Sequence, residues 1–514
     1  MVLLSVLVGV DWVATDWGLH GLAALKLYVV TAMLAVPIAR GMLMLRSRGD
    51  DGYPGLLVDE RQEPRLWQTV GDLADEVGIR APDEIVLTAD AEATVIDRAP
   101  LLGLFGGVRR LHLGLPLMAG LTEAQFRAAV AHELGYFSRA DTRLIVVVLR
   151  SRAQVLRTVA HFEERADKKV TEERSRQERK AVRTLAKRRP GKGVDAGGAG
   201  FTYRTTAKIY TMYGRLCVRA SLSVSWRQTF AADLVAARIV GRDTTASALR
   251  EVPVLAAAYA FYMEEYATLG VDVGALPPRG EVFGGVKHVL EARAGELDGM
   301  RASPGLEAQS PYDLRPSIAE RLARIEALPD DGRADRSARP ALRLMMDPAG
   351  AFAALEQVVL TPEALGLKRL AWEDLVHESM SHQGALSQST RDIRAALTAE
   401  GTDGTLVGLL DAIDADPSVL WRIADRFPKS ERAAVASGRA AREFARPAVR
   451  SALGQLATIE LTTCGIARWQ LSWSGSAYVR YPVGGFEEQL ALALDSAVAD
   501  QPDTEPLRKL VLAS

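Results

Sequence analysis

The sequence has only two cysteines in 514 residues, Cys217 and Cys464, and they lie far apart without the close spacing of a metal site. This predicts reduced thiols in a cytosolic compartment rather than a disulfide framework. The formal net charge is −1, so no basic excess points to nucleic acid as a partner. The chain also lacks a phosphate-binding glycine loop, a nucleophile elbow, an internal repeat and a heptad run. These absences argue against a P-loop nucleotide-binding protein, a nucleophile-elbow hydrolase, a repeat protein and a coiled coil.

The amino-terminal end lacks the features of a signal peptide, because it has neither a basic start nor an Ala-x-Ala cleavage site. It carries a long apolar run, Leu19–Leu45, which exceeds the roughly 20 residues that a membrane-spanning helix needs. Arg40, Arg46 and Arg48 flank the carboxyl side of this run and predict a cytoplasmic main domain. We therefore expect a membrane anchor of one or two helices at 1–48 and a location at the cell membrane. The alternative is a buried hydrophobic hairpin in a soluble protein.

One downstream segment has the features of a zinc-peptidase helix. Thr122 and Gln125 have the spacing of a capping box, and apolar residues follow at helical spacing. His132 and Glu133 then match the start of the motif His-Glu-x-x-His. In that motif two imidazoles on one helix face hold Zn²⁺, and the glutamate activates the metal-bound water as general base. Tyr136 stands at the second His position, and a neutral phenol with a pKa of about 10 is a poor zinc ligand.

The string from Phe126 to Arg143 resembles the active-site helix of the membrane-anchored gluzincin zinc metallopeptidases, the family of HtpX and the CAAX prenyl protease. The resemblance covers roughly residues 50–330. It implies a second helix with a glutamate as third zinc ligand and an aspartate behind the first His, and the matching positions hold Thr229 and Asp233. It also implies a downstream His-Pro-x-x-x-x-Arg segment, which here reads Arg315 to Arg321.

Three polar positions depart from the family pattern, those of Tyr136, Thr229 and Arg315, whereas the neighbouring packing residues fit. A threonine hydroxyl has neither the charge nor the basicity of a carboxylate ligand. The resemblance therefore implies a pseudopeptidase with impaired zinc binding and no expected cofactor. Its partners would be peptide or membrane-protein clients and the membrane, without nucleic acid. Asp233 and the remaining ligand His132 would then form a metal-free pair beside Glu133.

Two other functions stay open at this point. The first is an active zinc-dependent metalloendopeptidase, which would hold zinc with His132 and further ligands and use Glu133 as general base. The second is a structural membrane protein without a ligand.

The expected fold class is mainly α with a small β-sheet (α+β). A zincin-like metallopeptidase domain at 50–330 would follow the membrane segment. Within it we predict a helix at 60–78 and strands at Glu84–Thr88 and Val108–Leu113. In the resembled family such a sheet receives the substrate backbone at its edge. His112 on the second strand is predicted to be structural.

A charged insert is expected at 163–200. Its part at 163–192 carries twelve basic and six acidic residues, which fits either a solvated helix with a linker or a polybasic patch on anionic lipid.

Residues 335–514 are predicted to form a helical and small α+β appendage without an assigned role. Strands are expected at Thr458–Thr462 and Trp469–Trp473, followed by a helix from Phe486 to Val498. His377 and His382 are five residues apart, which does not place them on one helix face as a zinc motif requires.

Overall fold

The computed structural model describes residues 54–98, 107–138, 225–302, 315–333, 338–427 and 437–512, with a few single residues between 164 and 222. The apolar run at 19–45 and nearly all of the charged insert at 163–200 lie outside the described residues. The described chain divides into two compact units. The first unit contains the described residues up to Ala256 and those of Asp298–Pro348, and the second contains Ala257–Leu297 and the residues after Pro348.

The first unit has one sheet and several helices around it. Its strands are β1 (Gly55–Val58), β2 (Glu84–Thr88), β3 (Ala93–Arg98) and β4 (Val108–Gly114). Its helices are α1 (Pro64–Val77), α2 (Leu115–Gly120), α3 (Glu123–Gly135), α4 (described from 225 to 240), α5 (Arg242–Tyr262, which ends in the second unit), α8 (Ala294–Ala302, which begins in the second unit) and α9 (Ile318–Glu326).

The sheet has the strand order β1-β2-β4-β3, so β1 and β3 are its edges. The central pair β2 and β4 is parallel, and both edge strands run antiparallel to their neighbours. Ile85, Leu87, Leu111 and Leu113 of the central strands are fully buried, and Val86 and His112 between them are buried as well. The strands predicted from the sequence at Glu84–Thr88 and Val108–Leu113 are both confirmed. The predicted helix at 60–78 is confirmed as α1, which packs against α3.

The second unit is almost wholly helical. Its further helices are α6 (Glu281–Gly284), α7 (Val286–Ala292), α10 (Pro348–Val359), α11 (Pro362–Leu365), α12 (Trp372–Leu386), α13 (Gln388–Ala399), α14 (Leu406–Ala415), α15 (Val419–Ala424), α16 (Gly438–Thr463), α17 (Phe486–Ala497) and α18 (Glu505–Leu512). A π-helical turn, Met263–Ala267, continues α5, and a 3-10 turn follows at Val271–Val273. The strands are the parallel pair β5 (Ala275–Leu276) and β6 (Lys368–Arg369) and the antiparallel hairpin of β7 (Arg468–Gln470) and β8 (Tyr478–Arg480).

Of two sequence predictions for the second unit, one is confirmed and the other is wrong. The helix from Phe486 is confirmed as α17. The strand at Thr458–Thr462 is wrong, because this stretch is the last part of α16. Leu456 and Leu461 are buried there in the helical core of the unit, and the hydroxyl of Thr458 donates to the carbonyl of Gly454, 2.8 Å away. Helical packing therefore outweighs the strand preference of the β-branched residues.

The predicted fold class is correct in its mixture of mainly helical structure and small sheets, but it needs one correction. It placed the peptidase-like domain behind an N-terminal membrane segment. Within the part of the chain that the structure describes, no helix combines the length and apolar character needed to cross a membrane. The predicted anchor at 1–48 lies outside the described residues. The location at the cell membrane stays a prediction.

Candidate functional site

Helix α3 begins at the capping box that the sequence predicted. The Thr122 hydroxyl accepts a hydrogen bond from the Gln125 backbone N–H at 3.2 Å, and the Gln125 side chain accepts from the Thr122 N–H at 3.0 Å. The cap fixes where the helix starts, and Phe126 and Leu134 anchor it in the core with no exposed surface.

Helix α4 lies unusually close to the end of α3. A Cβ atom added to Gly135 would stand 3.1 Å from the Cα of Ala232 and 3.2 Å from the Cβ of Val235. Glycine thus permits a close contact between the two helix backbones. On α4, Thr229 and Asp233 are four residues apart and therefore share the face toward α3. Both side chains are almost completely buried.

Asp233, His132 and Arg321 form a buried cluster that joins three helices. Arg321 of α9 donates two hydrogen bonds to the Asp233 carboxylate, from Nε at 2.9 Å and from Nη2 at 2.7 Å. Nδ1 of His132 lies 2.8 Å from Asp233 Oδ1. The distance is that of a close polar contact, but the oxygen does not lie along the direction in which a ring N–H points. Nη2 of Arg321 also lies 3.3 Å from His132 Nε2. This arrangement suits a neutral imidazole with its proton on Nδ1 and its Nε2 lone pair turned to the guanidinium.

The cluster keeps Asp233 ionised. Burial raises the pKa of its carboxyl group, but the hydrogen bonds from Arg321 and His132 outweigh this effect and hold the pKa at about 2. A buried carboxylate with a bidentate arginine is a strong, directional contact. Asp233 is thus a fixed anion at neutral pH.

The two positions at which the resemblance implies zinc ligands contact each other. The hydroxyl groups of Tyr136 and Thr229 are hydrogen-bonded at 3.0 Å. The Thr229 hydroxyl donates its only proton to the Ser225 carbonyl, 3.1 Å away, so Tyr136 must be the donor in the pair. Burial raises the pKa of Tyr136, against a smaller lowering by Arg315 and Thr229, and the phenol is therefore neutral. Its ring also meets the His132 ring edge-on, with centroids 5.2 Å apart.

Glu133 is nine-tenths buried. Its carboxylate has a single ion-pair partner among the described residues, Arg315, with Nη2 3.8 Å from Oε1. The Arg315 side chain is 62% exposed, so it can move without disturbing the core. Glu133 and Arg315 thus present an acceptor and a donor side by side.

These side chains do not fit a zinc ion. The three ligand positions of the resembled family supply one imidazole, whose Nε2 faces a guanidinium, and two neutral hydroxyls that bond to each other. Catalytic zinc normally takes three nitrogen, sulfur or carboxylate ligands. Among the described residues, no group of three or more His, Cys, Asp and Glu is arranged to hold a metal ion.

Of the residues that sequence reasoning brought to this site, the structure joins His132, Tyr136, Thr229 and Asp233 through direct contacts, and Glu133 contacts Arg315. Arg315 lies at their edge. The functional roles assigned to them stay predictions. Arg321 was quoted only as the last residue of the downstream motif, yet it is the main partner of Asp233. The sequence feature that could have identified Arg321 is the capping box of Ser317 and Glu320, which places Arg321 near the start of a helix. His112 is buried on β4.

Comparison of the chain with protein-family models, with curated proteins and with solved structures gives no match in any of the three.

Proposed function

We propose that this protein binds an extended peptide segment of a client beside α3 and does not hydrolyse it. The observation that carries the proposal is the hydrogen bond between Tyr136 and Thr229, the two positions at which a zinc peptidase would hold its metal. Two neutral hydroxyl groups that are hydrogen-bonded to each other offer zinc neither a negative charge nor a strongly donating ligand atom. Two features around them support the proposal that a peptide binds there.

The first of these features is the edge strand β3, against which α3 packs. The Gly114 N–H bonds to the Glu92 carbonyl at 2.8 Å, which makes this opposed pair a hydrogen-bonded one. Hydrogen-bonded and non-bonded pairs alternate in an antiparallel ladder, so the backbone groups of Ala93, Val95 and Asp97 point away from β4. An extended peptide can add to this edge as a further strand.

The second feature is the pair of Glu133 and Arg315. A carboxylate and a guanidinium 3.8 Å apart match the N–H and C=O of one peptide group, which are a donor and an acceptor. Glu133 would then hold a peptide group rather than activate water. A neutral amide also leaves the charge balance of the buried cluster unchanged.

Binding is tested with an array of unstructured ten-residue peptides, and the tightest sequence is then measured in solution. Val95→Pro removes one outward N–H of β3, whereas Val95→Ala keeps this donor and serves as the matched control. We expect the proline variant to bind about tenfold more weakly, the effect of one lost hydrogen bond, and the alanine variant to bind nearly as the parent does. Proline is tolerated on edge strands, so both variants should keep the parent's melting temperature within a few degrees.

Two results would overturn the proposal. One is equal peptide affinity of the parent and the Val95→Pro variant. The other is turnover of fluorescein-labelled casein by the parent that a chelator abolishes, because that activity belongs to a zinc peptidase.

The degenerate metal site has its own test in the double change Tyr136→His and Thr229→Glu. The two hydroxyls are 3.0 Å apart beside His132, so the new side chains would face the same point as the imidazole. We expect the double variant to bind zinc on the order of 100-fold tighter than the parent and clearly tighter than either single variant, since affinity rises with ligand number. Isothermal titration with zinc chloride decides this. Equal zinc affinity of the double variant and the parent would contradict the claim that positions 136 and 229 face the same point as His132.

A further inference from the structure

The β7–β8 hairpin of the second unit, residues 468–480, is held at its tip by an aromatic cluster. The ring of Trp473 stacks with that of His288, with centroids 4.8 Å apart, and lies tilted at 31° to that of Tyr266 at the same distance. It meets Trp372 edge-on at 5.0 Å. The Trp473 carbonyl accepts from Arg293 Nε at 2.9 Å. Stacked and edge-on aromatic pairs each add about 0.5–1.5 kcal/mol to the area they bury. The tip is therefore firmly attached.

The base of the hairpin is held differently, by two polar contacts with α12. The backbone N–H of Trp469 donates to Nδ1 of His377 at 3.3 Å. Beside it, Arg468 forms an ion pair with the exposed Asp374. An exposed ion pair contributes little on its own, so the contact with His377 is the specific one.

The His377 contact exists only while the imidazole is neutral. A nitrogen that accepts a hydrogen bond must be unprotonated, which places the ring proton on Nε2. Protonation of Nδ1 would set its N–H against the Trp469 N–H and turn an attraction into a repulsion. The attachment of β7 to α12 therefore depends on whether Nδ1 of His377 carries a proton.

The charges around His377 come from two elements. Burial lowers the pKa of His377, Arg468 of β7 lowers it further, and Asp374 and Glu378 of its own helix raise it by less. The other elements packed on α12 are α13, α16 and the 3-10 turn, and within the described ranges they add no charged group to these surroundings. The contact is thus complete at pH 7 and is lost below the usual histidine range.

His288 adds a polar contact at the tip. Its Nε2 lies 3.1 Å from the Glu281 carboxylate, which also contacts Lys287. The tip thus joins aromatic stacking to a polar contact within the same cluster.

We propose that the β7–β8 hairpin is a proton-operated latch, in which protonation of His377 releases β7 from α12 while Trp473 keeps the tip in place. The hairpin would then open at its base and pivot about its tip. The release follows the protonation of His377, because the Trp469 N–H has its hydrogen bond with Nδ1 of that ring.

The test is hydrogen exchange of the full-length protein at pH 7.5, 6 and 5, with rates corrected for the intrinsic exchange at each pH. We expect protection of the Trp469 amide to fall about tenfold across this range, while protection of the Trp473 segment stays constant. In His377→Asn the amide oxygen stands where Nδ1 was but cannot titrate, so protection should no longer depend on pH. His382→Asn, on the same helix but exposed, is the matched control and should behave as the parent does.

Three results would overturn the latch. These are constant protection of Trp469 in the parent, a fall that persists in His377→Asn, and a parallel loss at Trp469 and Trp473, which would indicate general unfolding of the hairpin.

Discussion

At the candidate site, each residue that departs from the zinc-peptidase pattern has a specific partner. Tyr136 and Thr229 bond to each other, and Arg315 faces Glu133. The buried charges also balance, because the two carboxylates of Glu133 and Asp233 are matched by two guanidinium groups. An unpaired buried charge would cost several kcal/mol, so this balance is a condition for folding without a metal.

Asp233 gives a prediction for stability against pH. Its pKa is about 2 in the folded chain and about 3.9 in an unfolded one, so the folded state binds fewer protons. This stabilisation is fully present above the unfolded pKa and is lost as the pH falls through the folded pKa, and it amounts to about 2–3 kcal/mol. We expect Asp233→Asn to be less stable than the parent at pH 7 and the difference to shrink toward pH 2.5. Urea unfolding of both proteins at pH 7, 4 and 2.5 measures this. An equal difference at all three pH values would mean that Asp233 is not the titrating group.

Sequence patterns predicted the members of this site better than their contacts. The four-residue spacing of His132 and Tyr136 and of Thr229 and Asp233 predicts which side chains share a helix face. Arg321 lies nearly ninety residues after Asp233, on a helix whose position depends on the whole unit. No local pattern encodes that distance, so its role required the structure.

At the scale of helices and strands, the correct predictions are those for which the local sequence carries the necessary information. The capping box of Thr122 predicted the start of α3, and short runs of β-branched and other apolar residues predicted β2 and β4. The end of α16 was misread because threonine and isoleucine favour strands, while the buried leucines there follow a helical period. Packing against other helices decided the outcome, and that information is not local.

The close contact of α3 with α4 predicts opposite effects for two glycine-to-alanine changes. At Gly135 the new methyl group would press on Ala232 and Val235, so we expect a loss of about 1–3 kcal/mol. Gly71 of α1 is the matched control, because no atom lies within 4 Å of the new Cβ. Alanine there should stabilise the helix by about 0.5–1 kcal/mol. Urea denaturation midpoints of the two variants compare them directly, and a stabilising Gly135→Ala would show that the helices are farther apart than described.

At the scale of the whole molecule, the chain crosses between the two units three times, near Ala256, Leu297 and Pro348. The sequence predicted regions in chain order, at 50–330 and 335–514, because the family resemblance ends at about residue 335, and these bounds stay predictions. The segment 257–297 packs with the second unit: Glu356, buried on α10, accepts from the Val282 N–H at 2.9 Å. A long-range contact of this kind leaves no mark in the local sequence.

The last prediction concerns which part of the chain can fold alone. The helices from α13 to α18 share one continuous apolar core that runs from Ile393 to Val511 and is drawn wholly from that stretch. A fragment beginning at Ser387 keeps this core together with the cap that Ser387 gives to α13. Its length of roughly 100–150 residues is typical of an independent domain. We therefore expect the fragment 387–514 to show helical circular dichroism and a single cooperative urea transition.

A fragment of similar length, 257–386, is the control for this prediction. It retains the aromatic cluster around Tyr266 and Trp372 but lacks Trp473, whose ring contacts both. It should therefore unfold without cooperativity, since its buried aromatic surface has lost its partner. The reverse result, a cooperative 257–386 and a non-cooperative 387–514, would place the organising core of the second unit in the earlier segment.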